Sequence, residues 1–389
     1  MATQIMLPRT MRIGAGAIAE VGELVSQLGA RRPLIVTDPF MVSTGVAAVV
    51  EGHLRDAGLT PAVFSGTVPD PTTASLGAGL AAVRGLDADA LVAVGGGSPI
   101  DTAKALALLS AQGGEMRDYR APRVNHLPAL PVIAIPTTAG SGSEATQFSV
   151  ITDSENNEKM LCAGPGFLPV AAILDYELTL SKPPRLTADT AIDTMCHAIE
   201  AHVSRKANPF ASSLALAALA GSGRAIRDTY ADGANRAGRE ALMMASLQAG
   251  IAFSNASVTL IHGMSRPIGG NFHIAHGLSN AMLLPIVTRF SIPGAEAEYA
   301  QIARVLGAAT SATSDSAASQ ALVEWLTELC VELEVPSPER YGIARADWER
   351  LIPTMAEQAI ASGSPANNPV VPSTAEIEQL YALAYDPQA

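Results

Sequence analysis

The 389-residue sequence predicts an α/β first half and an all-helical second half, meeting near Pro183-Pro184. Before that point, short β-branched runs alternate with amphipathic stretches, the pattern of a parallel sheet covered by helices. Beyond it, strand-like runs largely vanish and Ala/Leu/Met-rich segments with helical spacing follow one another. Chemistry-bearing residues divide the same way. Gly-rich turns lie in the first half, and five of the seven histidines fall between positions 197 and 276. The expected domains are therefore 1–183 and 184–389.

In order, 33–38 reads as a strand entering a loop, and 46–57 and 75–85 as amphipathic helices. A second strand is expected at 90–94 and a third at 130–135. The second half reads as helices at 187–204, 209–228, 236–254, 256–268, 277–290, 294–308 and 317–333, with a last one at 374–385. The Ser/Ala/Thr stretch 310–319 reads as a loop, and no internal repeat is visible.

Composition narrows the function. Hydrophobic residues make up 48% and charged residues 16%, yet no apolar run reaches the roughly 20 residues that cross a bilayer. The opening residues, Met-Ala-Thr-Gln-Ile-Met-Leu-Pro-Arg, lack a secretory apolar region. Cys162, Cys196 and Cys330 are odd in number and widely spaced, which points away from a disulfide framework and toward the reducing cytoplasm. A net charge of −12 without a Lys/Arg cluster argues against nucleic acid and anionic membranes as partners. The Ala, Leu and Met content on a modestly charged surface suits a homo-oligomer.

Asp193 and His197 stand four apart on one expected helix, so their side chains share a face. A local hydrogen bond would explain that pair as well as a metal would. His262 and His276, in two further His-containing segments, turn the balance to metal. One carboxylate and three imidazoles suit a divalent transition ion and leave a coordination position open, as catalysis requires. His126 and His202 are read as core histidines. Cys196 is turned about 100° from its neighbour His197 on the helix and is not read as a ligand. His273, three residues before His276, could relay a proton to solvent or simply bond to backbone.

Gly95-Gly96-Gly97-Ser98 follows a strand and opens a helix. Ser98 is placed to cap that helix, with Pro99 at its first position and Asp101 at its third. Such a turn lets backbone approach a pyrophosphate at a helix N-terminus. A second loop, 136–144, leaves the next strand rich in hydroxyl and N–H donors, so one extended anionic ligand would lie at the C-terminal edge of the sheet. Asp38, at an earlier strand end, can accept from a ribose diol and would repel a 2′-phosphate; taken alone it also suits a turn. A dinucleotide and a metal in one chain suggest hydride transfer, with the carbonyl or alcohol oxygen on the metal and binding in a cleft between the halves. A metallohydrolase would not need the loops, and a nucleotide-binding regulatory module would not need the metal.

The runs Gly95 to Lys104, Pro136 to Gly140, Ile192 to Glu200 and His276 to Pro285, with Asn368 to Pro372, resemble the iron-dependent (group III) alcohol dehydrogenases, the family of the lactaldehyde/propanediol oxidoreductases. The resemblance covers nearly the whole chain. It implies the dehydroquinate synthase-like fold, with an N-terminal nucleotide-binding domain, a helical C-terminal domain, and Fe(II) held by Asp193, His197, His262 and His276. It implies NAD(H) contacts from Asp38, Asp70, Gly97, Ser98, Asp101, Thr137, Thr138, Lys159 and Thr179. The expected activity is that of an NAD(H)-dependent alcohol dehydrogenase or aldehyde reductase acting on a small alcohol or aldehyde. A zinc-dependent polyol dehydrogenase of the glycerol type and a dehydroquinate-synthase-like lyase are the alternatives.

The chain departs from the family at one place. Many members carry a second His one turn after the third ligand; here that residue is Arg266. A guanidinium there needs an anionic partner, which could be a protein carboxylate, the cofactor pyrophosphate, or an acidic group on the substrate.

Overall fold

The computed structural model describes residues 3–155 and 158–386, and the chain parts between Ser181 and Lys182 into two compact units. The first unit is built on strands β1 (Thr10–Ile13), β2 (Pro33–Val36), β3 (Ala62–Phe64), β4 (Ala90–Gly95), β5 (Val132–Pro136) and β8 (Ala171–Leu174). They form one parallel sheet in the order β1-β8-β5-β4-β2-β3, and β6 (Phe148–Thr152) and β7 (Lys159–Ala163) form a separate antiparallel hairpin. The helices of this unit are α1 (Val21–Gln27), α2 (Pro39–Ser43), α3 (Val46–Asp56), α4 (Thr73–Leu86) and α5 (Gly97–Gln112).

Every residue of β4 is buried because helices cover both faces of the sheet. Leu91 and Ala93 join Leu34, Val36 and Ala134 under Val83 of α4 and Leu106 of α5. Ala90, Val92 and Val94 join Ile35, Ile133 and Ile173 under Leu24 of α1 and Leu54 of α3. A strand buried on both sides reads as an unbroken apolar run, which is why β2, β4 and β5 are visible in the sequence. β1, β3, β8 and the hairpin were not anticipated. β1 and β3 are edge strands buried only in part, β8 opens with two alanines in place of a β-branched run, and the hairpin strands bury only alternate residues.

The chain runs from β2 outward to β3 and returns across β2 to β4, so the order reverses between β2 and β4. In open α/β sheets the crevice beyond the carboxyl ends at such a reversal is where ligands bind.

The second unit is helical: α6 (Pro184–Val203), α7 (Pro209–Ala231), α8 (Arg236–Asn255), α9 (Leu260–Phe272), α10 (His276–Ser291), α11 (Glu296–Leu306), α12 (Asp315–Glu332), α13 (Pro338–Tyr341), α14 (Arg345–Ala361) and α15 (Thr374–Tyr385). α6 is its central rod, packed against α7, α8, α9, α10 and α11 and buried along nearly its whole length. Two expectations are corrected here, and one helix is added. The helix expected at 256–268 starts at Leu260, because α8 ends at Asn255 and residues 256–259 are an irregular link. The loop expected at 310–319 ends early, because Ser314 caps α12 by accepting from the Ala317 N–H. α14 was not anticipated; it buries only the stripe Trp348, Met355, Ala356 and Ala359, and Pro353 interrupts its pattern. No single helix among the described residues is long and apolar enough to cross a membrane.

Candidate metal centre and nucleotide site

Asp193 and His197 lie one turn apart on α6, His262 is in the first turn of α9, and His276 is the first residue of α10. One ligand atom from each of the four lies within 4.8 Å of every other. From Asp193 Oδ1 the distances to Nε2 of His262, His276 and His197 are 3.5, 3.7 and 4.0 Å. An ion about 2.1 Å from each donor of a tetrahedral site sets the donors about 3.4 Å apart, so the cluster has the right size. Asp193, His197 and His262 are buried, whereas the His276 side chain is 45% exposed. The cluster is therefore sealed on three sides and accessible on the fourth.

Local sequence explains this convergence. Gly277 follows the ligand His276 because α10 begins against α6: a Cβ there would stand 2.4 Å from the Asp189 carbonyl oxygen. Only glycine lets the two backbones come that close. His197 is held flat between Phe253, with ring centroids 4.2 Å apart, and His262, at 4.4 Å.

Glu200, three residues after His197, was not singled out by sequence reasoning. Its Oε1 accepts from Thr259 Oγ1 at 2.9 Å and from the N–H of Ile261 at 2.7 Å and His262 at 3.3 Å. Its Oε2 accepts from His262 Nδ1. One buried carboxylate thus caps α9 from a neighbouring helix and leaves Nε2 of His262 as the ligand atom. Asn280, one turn into α10, donates from Nδ2 to Asp193 Oδ1 at 2.6 Å and lies 3.2 and 3.3 Å from Nε2 of His262 and His276. Both residues sit in runs noted for their resemblance, Ile192 to Glu200 and His276 to Pro285; the sequence signal was their spacing of one helical turn from a ligand.

Burial carries the His197 pKa down to about 3, against the pull of Asp193, so this imidazole is neutral and ready to bind a cation. Burial also opposes ionisation of Asp193, but His197, His276 and His262 outweigh it and hold the carboxylate well below its usual range. For His262, burial is outweighed by Glu200 and Asp193, which take the pKa up to about 9. An incoming cation would displace that proton, the usual coupling of metal binding to protonation.

Arg266 lies one turn beyond His262 on α9, and its Nη1 donates to Ser364 Oγ at 3.1 Å. No carboxylate among the described residues lies within ion-pairing distance of it, so a protein ion pair is not its partner. His273 caps the end of α9 in the left-handed region (φ 55°) with its side chain exposed. His202 is buried, but His126 is exposed, correcting its reading as a core residue. Cys196 is buried and takes no part in the four-residue cluster.

In the first unit, the expected cofactor residues lie beyond the C-terminal ends of the sheet strands or on the hairpin. Asp38 follows β2 and caps α2, its Oδ1 accepting from the Met41 N–H at 2.9 Å. Its Oδ2 faces β4, 3.5 Å from where a Cβ on Gly95 would be. Gly95 adopts φ +148°, and a Cβ there would meet Pro99 Cγ at 2.6 Å. α5 begins at Gly97 with Gly96 as its N-cap and no side-chain cap bond, so the expected capping by Ser98 is corrected: Ser98 is already inside the helix. A Cβ on Gly96 would stand 3.4 Å from Thr138 Oγ1, and one on Gly97 3.3 Å from Ser141 Cβ. The two loops thus face each other across a gap that side chains would close, as a phosphate cradle requires.

The remaining expected contacts are engaged within the protein. The Thr137 N–H donates to the Gly95 carbonyl, and Thr179 Oγ1 to that of Tyr176. Lys159 pairs with Asp70 at 2.9 Å. Asp101 accepts from Ser143 Oγ and the Val150 N–H. Beneath them lies fully buried Lys104, which donates to Ser143 Oγ, to the Thr146 carbonyl and hydroxyl, and to the Phe148 carbonyl at 2.7 to 3.3 Å. Lys104 pins the second loop to α5, a role its place in the run Gly95 to Lys104 did not disclose.

Comparison with known proteins matches residues 8–176 to the family model described as iron-containing alcohol dehydrogenase, and residues 187–385 to that of the C-terminal part of the Fe-containing alcohol dehydrogenase family. The chain is 36% identical over 379 residues to an NAD-dependent methanol dehydrogenase of Bacillus methanolicus, covering 97% of this chain and 98% of that one. It is 34% identical over 388 residues to a lactaldehyde reductase of Escherichia coli K12, covering 99% and 100%. A crystal structure of 1,3-propanediol oxidoreductase superposes with a TM-score of 0.95 at 33% identity, covering 99% of this chain and 100% of that one. These matches support the alcohol dehydrogenase reading and not the zinc polyol dehydrogenase or lyase alternatives.

Proposed function

This chain belongs to the iron-containing alcohol dehydrogenase family, and from that membership we propose that Asp193, His197, His262 and His276 hold Fe(II) for hydride transfer between NAD(H) and a small alcohol or aldehyde. The observation that carries the reading is the cluster itself: four donors of suitable size, buried on three sides and open beside His276. The ion, when bound, supplies a Lewis acid for the substrate oxygen, and nicotinamide supplies or accepts the hydride. Asp193 and neutral His197 fix the donor set, Glu200 keeps Nε2 of His262 turned inward, and the exposed edge at His276 admits the substrate. Gly95 to Ser98, Thr137 and Thr138 cradle the pyrophosphate, and Asp38 Oδ2 accepts from the ribose hydroxyls, which favours NAD(H) over NADP(H).

We read the protein as a cytoplasmic homo-oligomer. Three free, buried cysteines suit a reducing compartment. The exposed Phe40, Val42, Val49 and Val63 suit subunit contacts.

Replacing His276 with Ala tests the proposal. Bound iron and kcat should fall together when the protein is assayed with NADH and a panel of short aldehydes. A metal-free His276→Ala protein that turns over normally refutes the assignment.

A further inference from the structure

Arg266 carries a charge that no side chain among the described residues neutralises. Protein surrounds it closely enough that burial pulls its pKa down, the charge of Glu200 being the only influence in the other direction. A guanidinium nevertheless stays protonated. Glu200 is not free to pair with it: both oxygens are taken by Thr259, by the backbone of Ile261 and His262, and by the His262 ring. Among the described residues the one hydrogen bond of the Arg266 guanidinium goes to the neutral Ser364 hydroxyl. Its other donors are not among the sealed polar atoms left without a partner, so they reach accessible space.

Placement and charge say what that space should receive. Arg266 and the ligand His262 lie four apart on α9 and share one face of it. Ser364 is buried in the segment after α14, and α9 approaches this segment so closely that a Cβ on Gly263 would meet Pro365 at 2.8 Å. The guanidinium is therefore held at one end by a rigid wall and presents its remaining fork. Asp193 and Glu200 together balance a divalent ion, and Arg266 leaves one positive charge over. A single anionic group beside the reacting carbon would complete the balance.

We propose that Arg266 makes this enzyme selective for a short alcohol or aldehyde bearing one acidic group, a carboxylate or sulfonate, that the guanidinium grips through parallel N–H donors. The inference rests on the alcohol dehydrogenase reading above for the identity of the reacting group, but not for the existence of the anion site.

The test uses iron-loaded full-length protein and two probes: a short aldehyde with a terminal carboxylate and its primary amide, the neutral isostere. Wild type should prefer the acid in kcat/KM. Arg266→Gln should cut the acid-to-amide ratio by about 10- to 100-fold, chiefly through KM for the acid. Arg266→Lys, which keeps the charge but not the fork, should fall between them. Calorimetric titration with the corresponding unreactive dicarboxylate, which should bind wild type and not Arg266→Gln, reads the site without turnover. Equal losses on acid and amide overturn the proposal and assign Arg266 to scaffolding. A raised KM for NADH alone overturns it in favour of the cofactor pyrophosphate. Should Arg266→Gln fail to fold, a wild type indifferent to the acid group overturns it as well. Dicarboxylate binding that depends on Arg266, in a protein that reduces neither aldehyde, keeps the anion site and refutes the activity instead.

Discussion

Glu200 and His262 are joined twice: the carboxylate engages Nδ1 of the ring and accepts from the backbone N–H of the same residue at 3.3 Å. Ring orientation and helix start are thus set by one side chain, itself on α6 beside the ligand His197. Ligand imidazoles anchored in this way commonly lose 10- to 100-fold in metal affinity when the anchor is removed. Glu200→Gln should weaken iron binding by about that range, read by competition with a coloured chelator. An unchanged affinity would mean that stacking against His197 alone aligns the ring.

Asp38 caps α2 with one oxygen and is proposed to bind the ribose with the other, and the two roles are separable. Oδ1 caps α2 and Oδ2 faces Gly95 across the carboxyl ends of β2 and β4. Asp38→Ser keeps a capping oxygen and removes the charge, so stability should hold while the preference for NADH over NADPH narrows. Asp38→Ala should narrow the preference too and also cost about 1 kcal/mol of stability, the usual loss of a helix cap. Cofactor kinetics and thermal unfolding of the two variants separate the roles. A wild type that already uses both cofactors equally would remove the cofactor role and leave the cap.

Legibility from sequence followed burial and periodicity. β2, β4 and β5 were readable because both their faces are covered, and α6 through its paired Asp193 and His197. The edge strand Thr10–Ile13 and the hairpin were not, because polar residues such as Arg12 and Lys159 interrupt their apolar pattern. The four-residue cluster was legible because a carboxylate and histidines at helical spacing stand out in an apolar chain. Glu200, Asn280 and Lys104 did not stand out: the first two stand one helical turn from a histidine of the cluster, but their anchoring contacts to Thr259 and Asp193, like that of Lys104 to Phe148, lie 44 to 87 residues away. Ser98 misled for the opposite reason: a good capping residue lost the position to Gly96, where the backbone must pass close to Thr138.

Glu144 offers a stability test of the loop that Lys104 secures. Its side chain is buried, and Oε1 has no hydrogen-bond partner among the described residues. Burial raises its pKa to about 7 from the ordinary 4.5, against the attraction of Lys104, whose own pKa burial lowers to about 8. A carboxyl whose folded pKa is raised keeps a proton that the unfolded chain releases between pH 4.5 and about 7. Its contribution to stability is therefore full below that window, shrinks as pH rises through it, and is constant above. Glu144→Gln is neutral at every pH and escapes the loss. Relative to wild type it should gain about 1 to 3 kcal/mol in urea unfolding between pH 5 and pH 7.5, each pKa unit being worth about 1.4 kcal/mol. Staying below pH 8 keeps Lys104 largely an ammonium in the wild type, so the change is read from Glu144. A stability difference that does not vary with pH would show that Glu144 is ionised throughout, with its charge carried by Lys104.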